Sequence, residues 1–138
     1  MGKFQSAPAQ NAEDYADAMM TRNTVSLSGV NPYLRGLKGA YQGYDIPVLP
    51  TGILIGRDPV ACQLIFENSP EFSRYHCRVT YSKRTGYFIV TDLNSKNGVF
   101  TEEGIRVEKG AKIVLVPGQI FKMCGDRIVF ETVVKKEE

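Results

Sequence analysis

The segment Tyr87–Phe100, YFIVTDLNSKNGVF, runs from an apolar stretch through a crowded polar loop into a second apolar stretch. Tyr87 to Val90 are the aromatic and β-branched residues that suit a pleated, half-buried surface. Val99 and Phe100 resume that pattern after Asp92 to Gly98. The simplest reading is a strand, a tight loop and a second strand. The Asn97-Gly98 pair tolerates the positive φ that tight turns need, so the loop by itself reads as a hairpin whose side chains satisfy their own backbone. That reading leaves a surplus of hydrogen-bonding groups unexplained.

The same texture extends in both directions. The segments RGLKGAY, YDIPVL, GILIG, QLIFE, HCRVTYS, GYFIVTD, GVFTE, KIVLV, QIFKM and RIVFETVV are short, apolar or alternating, and separated by turn residues. Some ten strands without a convincing helix predict an all-β sandwich or barrel. In HCRVTYS, Cys77, Val79 and Tyr81 share a buried face and His76, Arg78 and Thr80 a wetter one. YFIV and KIVLV are apolar on both faces and predict central strands, with Ile89, Val90, Val114 and Leu115 in the core.

The 138 residues suffice for one domain with a core plus a tail. Seventeen Lys and Arg against fifteen Asp and Glu give a net charge of +2, too balanced for the footprint of a general nucleic-acid binder. Cys62, Cys77 and Cys124 are odd in number and far apart, which argues against a disulfide framework or a zinc site and fits a reduced, cytoplasmic setting. No apolar run has the length of a membrane span. The opening MGKFQS fits the sparse pattern for myristate on Gly2, a pattern short enough to arise by chance. Residues 1–32 read as a flexible tail, residues 33–134 as the folded domain, and residues 135–138 as a charged, frayed end.

Functional residues in such a domain concentrate on loops beside strands. In IGRD, Gly56 and Arg57 end an apolar strand and deliver an arginine to the sandwich edge, where its fork of donors suits a carboxylate, a phosphate or simply Asp58. In SRYHCRV, Ser73 precedes the strand that carries His76, and its hydroxyl can donate to an anion or cap a turn. His76 and Cys77 are adjacent in a strand and point to opposite faces, so they make a poor base and nucleophile, and a hydrogen-bonded structural histidine is the better reading. An enzyme would need converging groups that this sequence does not offer.

Taken in order, IGRD, SRYH, DLNSKNG, GIRVEKG and VPGQIF resemble the forkhead-associated domain over about residues 33–134. The resemblance implies a β sandwich of about eleven antiparallel-rich strands whose apical loops bind phosphothreonine peptides, without cofactor or metal. By position it implies that Arg57, Ser73 and Lys96 contact the phosphate. It implies that Arg74 and Asn97 meet the peptide, and that Gly56, His76, Asp92 and Gly98 support the site. A phosphate monoester carries about −1.5 to −2 charge and three strong acceptors, which two cations and a hydroxyl match. Two departures stand out: Val99 where the family usually has threonine, and Gln63 where aspartate is frequent.

The implied partners are a phosphothreonine-containing protein and an upstream serine/threonine kinase, with neither nucleic acid nor membrane. Thr21 and Thr24 in the tail are candidate phosphorylation sites, and a modified tail could occupy the Arg57 site of its own molecule as an autoinhibitor. The rival from another class is a scaffold that binds through a sheet face, independently of phosphate.

Overall fold

The computed structural model describes residues 29–136. The chain folds into ten strands: β1 (Val30–Lys38), β2 (Asp45–Pro47), β3 (Ile53–Gly56), β4 (Leu64–Ile65), β5 (Cys77–Tyr81), β6 (Phe88–Asp92), β7 (Val99–Thr101), β8 (Lys112–Leu115), β9 (Ile120–Met123) and β10 (Ile128–Lys136). No helix occurs among the described residues. One sheet has the order β2-β1-β10-β9-β7 and the other β4-β3-β5-β6-β8. All pairings are antiparallel except β3 with β4. The all-β sandwich expected from the sequence is the observed architecture, with ten strands in place of about eleven.

Period-two alternation drives the packing. Phe88, Val90 and Asp92 of β6 point inward and are buried, while Ile89 and Thr91 between them are partly exposed. Leu34, Ile46, Ile53, Ile55, Val79, Phe121, Met123 and Phe130 complete the space between the sheets. At one end, Phe66 stacks on Phe72 with ring centroids 4.1 Å apart, and Phe72 packs on His76 at 4.9 Å. Those rings anchor the long β4–β5 connection to the core.

Val90 and Leu115 are buried, but Ile89 is only partly covered and Val114 is 55% exposed. They are register partners on the outer face, and β8 is the edge strand of its sheet, not a central one. The backbone alternates whatever the residues' hydrophobicity, so one of each apolar pair must face out. His76 also departs from its expected wetter face: it is fully buried, because the loops on either side close over it.

The strand framework extends further than the tail and end boundaries suggested. Val30 pairs with Lys136 and Asn31 with Lys135. The Lys135 ammonium lies 2.8 Å from Asp45 and 4.4 Å from the centre of the Tyr33 ring, so Lys135 and Lys136 belong to β10 and not to a frayed end.

The sandwich has two unlike ends. The C-terminal end of β3, the start of β5, and the β6–β7 connection gather at one, here called apical. Val30, where the described chain begins, and Lys136, where it stops, face each other at the opposite, basal end.

Candidate functional site

The apical site is assembled from three segments, each fixed by backbone contacts. Gly56 ends β3 against the turn that precedes β5. A methyl group on Gly56 would overlap the Arg74 carbonyl oxygen and lie 3.0 Å from His76 N, so only glycine allows the two segments to meet. The Arg57 N–H then donates to the Ser73 and Arg74 carbonyls, each at 3.1 Å, and His76 N–H donates to Ile55 O at 2.8 Å.

The third segment is the Asp92–Gly98 loop. The Asp92 carboxylate is buried and accepts from Ser95 N–H at 3.2 Å, from the Ser95 hydroxyl in a short bond, and from Gly110 N–H at 3.2 Å. The Ser95 oxygen in turn accepts Gly98 N–H at 3.0 Å. Asn94 at φ 62° and Gly98 at φ 88° take the left-handed conformations that bend the chain. Asn97 does not, so the Asn97-Gly98 pair supplies one positive φ rather than two.

His76 joins the segments from beneath. Ser73 N–H donates to its Nδ1 at 3.1 Å, which leaves the proton on Nε2 for donation to Gly98 O at 2.9 Å. Burial pulls the imidazole pKa below its ordinary 6.5, against the upward pull of the Gly98 carbonyl. The ring is therefore a neutral bridge between the serine and the glycine. Cys77 points the other way, with its sulfur 3.9 Å from Met123 Sδ in the core, so the two residues form no nucleophile and base pair.

The polar side chains line up above this frame. Ser73 Oγ accepts Lys96 N–H at 2.9 Å, which spends an acceptor and leaves the hydroxyl proton available to donate. Asn97 Nδ2 donates to Glu71 O at 2.9 Å. The ion pair open to Arg57 in the sequence is taken by Arg74, whose Nη2 lies 2.9 Å from Asp58 Oδ2 and whose guanidinium sits 5.5 Å from the Tyr75 ring centre. Val60 N–H and Arg74 together hold the Asp58 carboxyl below its ordinary range. Among the described residues, no ion pair engages the Arg57 guanidinium or the Lys96 ammonium.

Two contributors were given no role from the sequence, although Arg106 stands within the GIRVEKG motif. Arg106 donates to the Ser95 and Lys96 carbonyls at 3.0 and 3.3 Å and fills the space beside Gly98, where a methyl would come within 2.6 Å of its Nε. Glu71 receives Asn97 on its carbonyl and pairs with Arg127 through its carboxylate at 3.0 Å. Gln63 bonds Leu54 through both its backbone N–H and its side-chain oxygen, at 2.9 and 2.8 Å, and so ties the β3–β4 connection to β3. Thr21 and Thr24 lie outside the described residues. Among the described residues, no three His, Cys, Asp or Glu side chains cluster closely enough to hold a metal ion, and no helix is long and apolar enough to cross a membrane.

The FHA domain family description matches residues 53–124, just over half of the 138-residue chain and the part that carries all three apical segments. The chain belongs to the FHA domain family. Solved FHA domains share its fold. That of the CT664 protein from Chlamydia trachomatis, 23% identical, aligns at a TM-score of 0.62 over 75% of this chain and 96% of that one. The MEK1 FHA domain in complex with a HOP1 pThr peptide, 18% identical, gives 0.60 over 75% and 95%. The FHA-1 domain of Mycobacterium tuberculosis Rv1747, 16% identical, gives 0.57 over 78% and 99%. No curated protein sequence gives a significant match to the chain.

Proposed function

We propose that this FHA domain is a phosphothreonine-dependent binding module that recognises a phosphorylated segment of a partner protein and performs no catalysis. The observation that carries the reading is the clasp at Ser73: its carbonyl receives Arg57 N–H, its hydroxyl oxygen receives Lys96 N–H, and its own N–H is held by His76. Two cationic residues from separate loops thus meet Ser73 through their backbone N–H groups, and the serine keeps a hydroxyl proton to donate. The MEK1 FHA domain in complex with a pThr peptide supports the choice of ligand.

In this reading the Arg57 fork and the Lys96 ammonium neutralise the phosphate while Ser73 donates its hydroxyl proton to a phosphate oxygen. Asn97, whose amide nitrogen is committed to Glu71 O, offers its carbonyl oxygen to a peptide N–H. Arg74 is held by Asp58 through one nitrogen and meets the peptide with the others. A serine/threonine kinase supplies the ligand by phosphorylating the partner.

Fluorescence anisotropy with phosphorylated and unphosphorylated forms of one threonine peptide tests the reading. Only the phosphopeptide should bind. Arg57→Ala removes a charge-assisted contact of about 1.5–3 kcal/mol and should weaken binding roughly ten- to hundredfold. Equal binding of both peptides, or an unchanged affinity in Arg57→Ala, would refute it.

A further inference from the structure

One flank of the sandwich is left open. β8 is the last strand of its sheet and β7 the last of the other, on the same side of the molecule. Asp92 N–H donates to Ala111 O at 2.9 Å, so in this antiparallel ladder Ala111, Ile113 and Leu115 turn their backbone groups toward β6. Lys112, Val114 and Val116, which alternate with them, turn theirs away. Val116 finds partners within the chain: its N–H donates to Gln119 Oε1 at 2.9 Å, and its carbonyl lies 3.1 Å from the Thr132 hydroxyl. Among the described residues, no strand takes up the N–H and carbonyl of Val114.

The side chains at this edge are apolar, whereas exposed edges are usually blunted by charge. Tyr87, Val114 and Val116 are three of the seven large apolar side chains left exposed among the described residues, so nearly half of that set falls on one corner. Val114 stands opposite the partly covered Ile89 on the same outer face. The one charge of β8 is Lys112, at its apical end. Beside the free edge runs a groove of about 210 Å³, lined by Ile113, Leu115 and Ile120 and by the exposed Glu102 and Glu103. Among the described residues, neither glutamate has an ion pair.

We infer that β8 is a second docking edge, which takes an extended segment of a partner protein as an added strand, with β-branched residues alternating with lysine or arginine along that segment. The main chain of the added strand bonds to the N–H and carbonyl of Val114. Its side chains alternate between two faces. Those on the outer face meet Val114, Val116 and Ile89, which suits valine, isoleucine or threonine. Those between them point over the groove, where a lysine or arginine lays its aliphatic stem on Ile113 and Ile120 and its charge beside Glu102 and Glu103. An acidic segment is repelled by the same two carboxylates.

This edge is distinct from the apical loops. Val114 is level with Ile89, three residue steps or about 10 Å along β6 from Asp92. A segment on β8 therefore leaves Arg57, Ser73 and Lys96 uncovered, and the domain can hold two ligands at once. The inference does not depend on what the apical loops bind.

The probe is a short, end-blocked peptide of alternating lysine and valine, titrated into the isotope-labelled full-length chain and followed by amide chemical shifts. Lys112, Val114, Glu102 and Glu103 should shift, while Arg57, Ser73 and Asn97 stay in place. Val114→Pro removes a donor that β6 does not use and should weaken binding about tenfold with the rest of the spectrum preserved. Glu102→Lys combined with Glu103→Lys, both at exposed positions, should reverse the preference, so that an alternating glutamate and valine peptide binds better than the lysine one. No shifts at β8, equal binding of the two peptides to the wild-type chain, or a charge-reversed variant that still prefers lysine would overturn the inference. So would shifts of the β8 amides that grow with protein concentration in the chain alone, together with a dimer in sedimentation velocity, which would assign the edge to a second copy.

Discussion

Replacing His76 with phenylalanine keeps a flat ring against Phe72 and deletes both nitrogens. The Gly98 carbonyl then loses its 2.9 Å donor, and Ser73 N–H loses its 3.1 Å acceptor. The buried Gly98 oxygen costs about 1–3 kcal/mol when left unsatisfied, and the Ser73 bond contributes about 0.5–1.5 kcal/mol. The larger phenyl ring gains apolar burial but must be forced into a fully buried site, and these two effects largely offset each other. The variant should be destabilised by about 2–4 kcal/mol. Urea unfolding followed by tyrosine fluorescence measures it; with a slope of about 2 kcal/mol per molar, the midpoint should fall by roughly 1–2 M. Phosphopeptide affinity, measured where the variant is folded, should drop tenfold or more, because Ser73 and the Lys96 loop lose their common support. A stability loss below about 0.5 kcal/mol with unchanged affinity would refute the account of His76 as the bridge between the loops.

The same residue sets a pH dependence. The folded pKa of His76 lies below its ordinary 6.5, so the unfolded chain takes up the proton first, and stability that is complete above 6.5 should decline as pH falls below it. His76→Phe should flatten that decline between about pH 7 and 5, while the losses from Asp45 and Asp58, whose carboxyls lie below 3.8, appear only at lower pH in both proteins. Gly56→Ala should cost about 2–3 kcal/mol in urea unfolding, because the added methyl forces the Arg74 carbonyl away from β3. Arg106→Ala should change stability by under about 1 kcal/mol, since the residue is exposed, yet weaken phosphopeptide binding several-fold in anisotropy by freeing the Ser95 and Lys96 carbonyls.

Much of the fold was legible because alternation and turn chemistry are local. The ten strand segments, and the inward set Cys77, Val79, Phe88 and Val90, follow from a period of two. The positions of Ile89 and Val114 were not legible: nothing within YFIV or KIVLV says that β8 forms a sheet edge, since that depends on partners distant in sequence. The pairing of Val30 and Asn31 with Lys136 and Lys135 was hidden for the same reason. At the site, Arg57, Ser73 and the polar loop stood out by residue type. Arg106 and Glu71 did not, because an exposed arginine and a glutamate used through its backbone carbonyl look ordinary until the loops converge. The burial of His76 reflects what closes over it, a tertiary fact that strand alternation cannot supply.

The Asp92–Ser95–Gly98 relay, locked from outside by Arg106, has a consequence for how such a domain can change its ligand. The bonds that give the loop its shape run through backbone groups and the side chains of Asp92, Ser95, Arg106, Ser73 and His76, and Asn97 adds one to the Glu71 carbonyl, whereas among the described residues no ion pair engages the outward side chain of Lys96. The loop has therefore already lost its conformational freedom when the chain folds, and a ligand meets a surface that need not be ordered again. The residue at 96 can be exchanged without rebuilding the scaffold beneath it, whereas exchange at 97 gives up the bond to Glu71. Shape and ligand contact are thereby separable at position 96, so a library varied there should yield folded domains of altered phosphopeptide affinity.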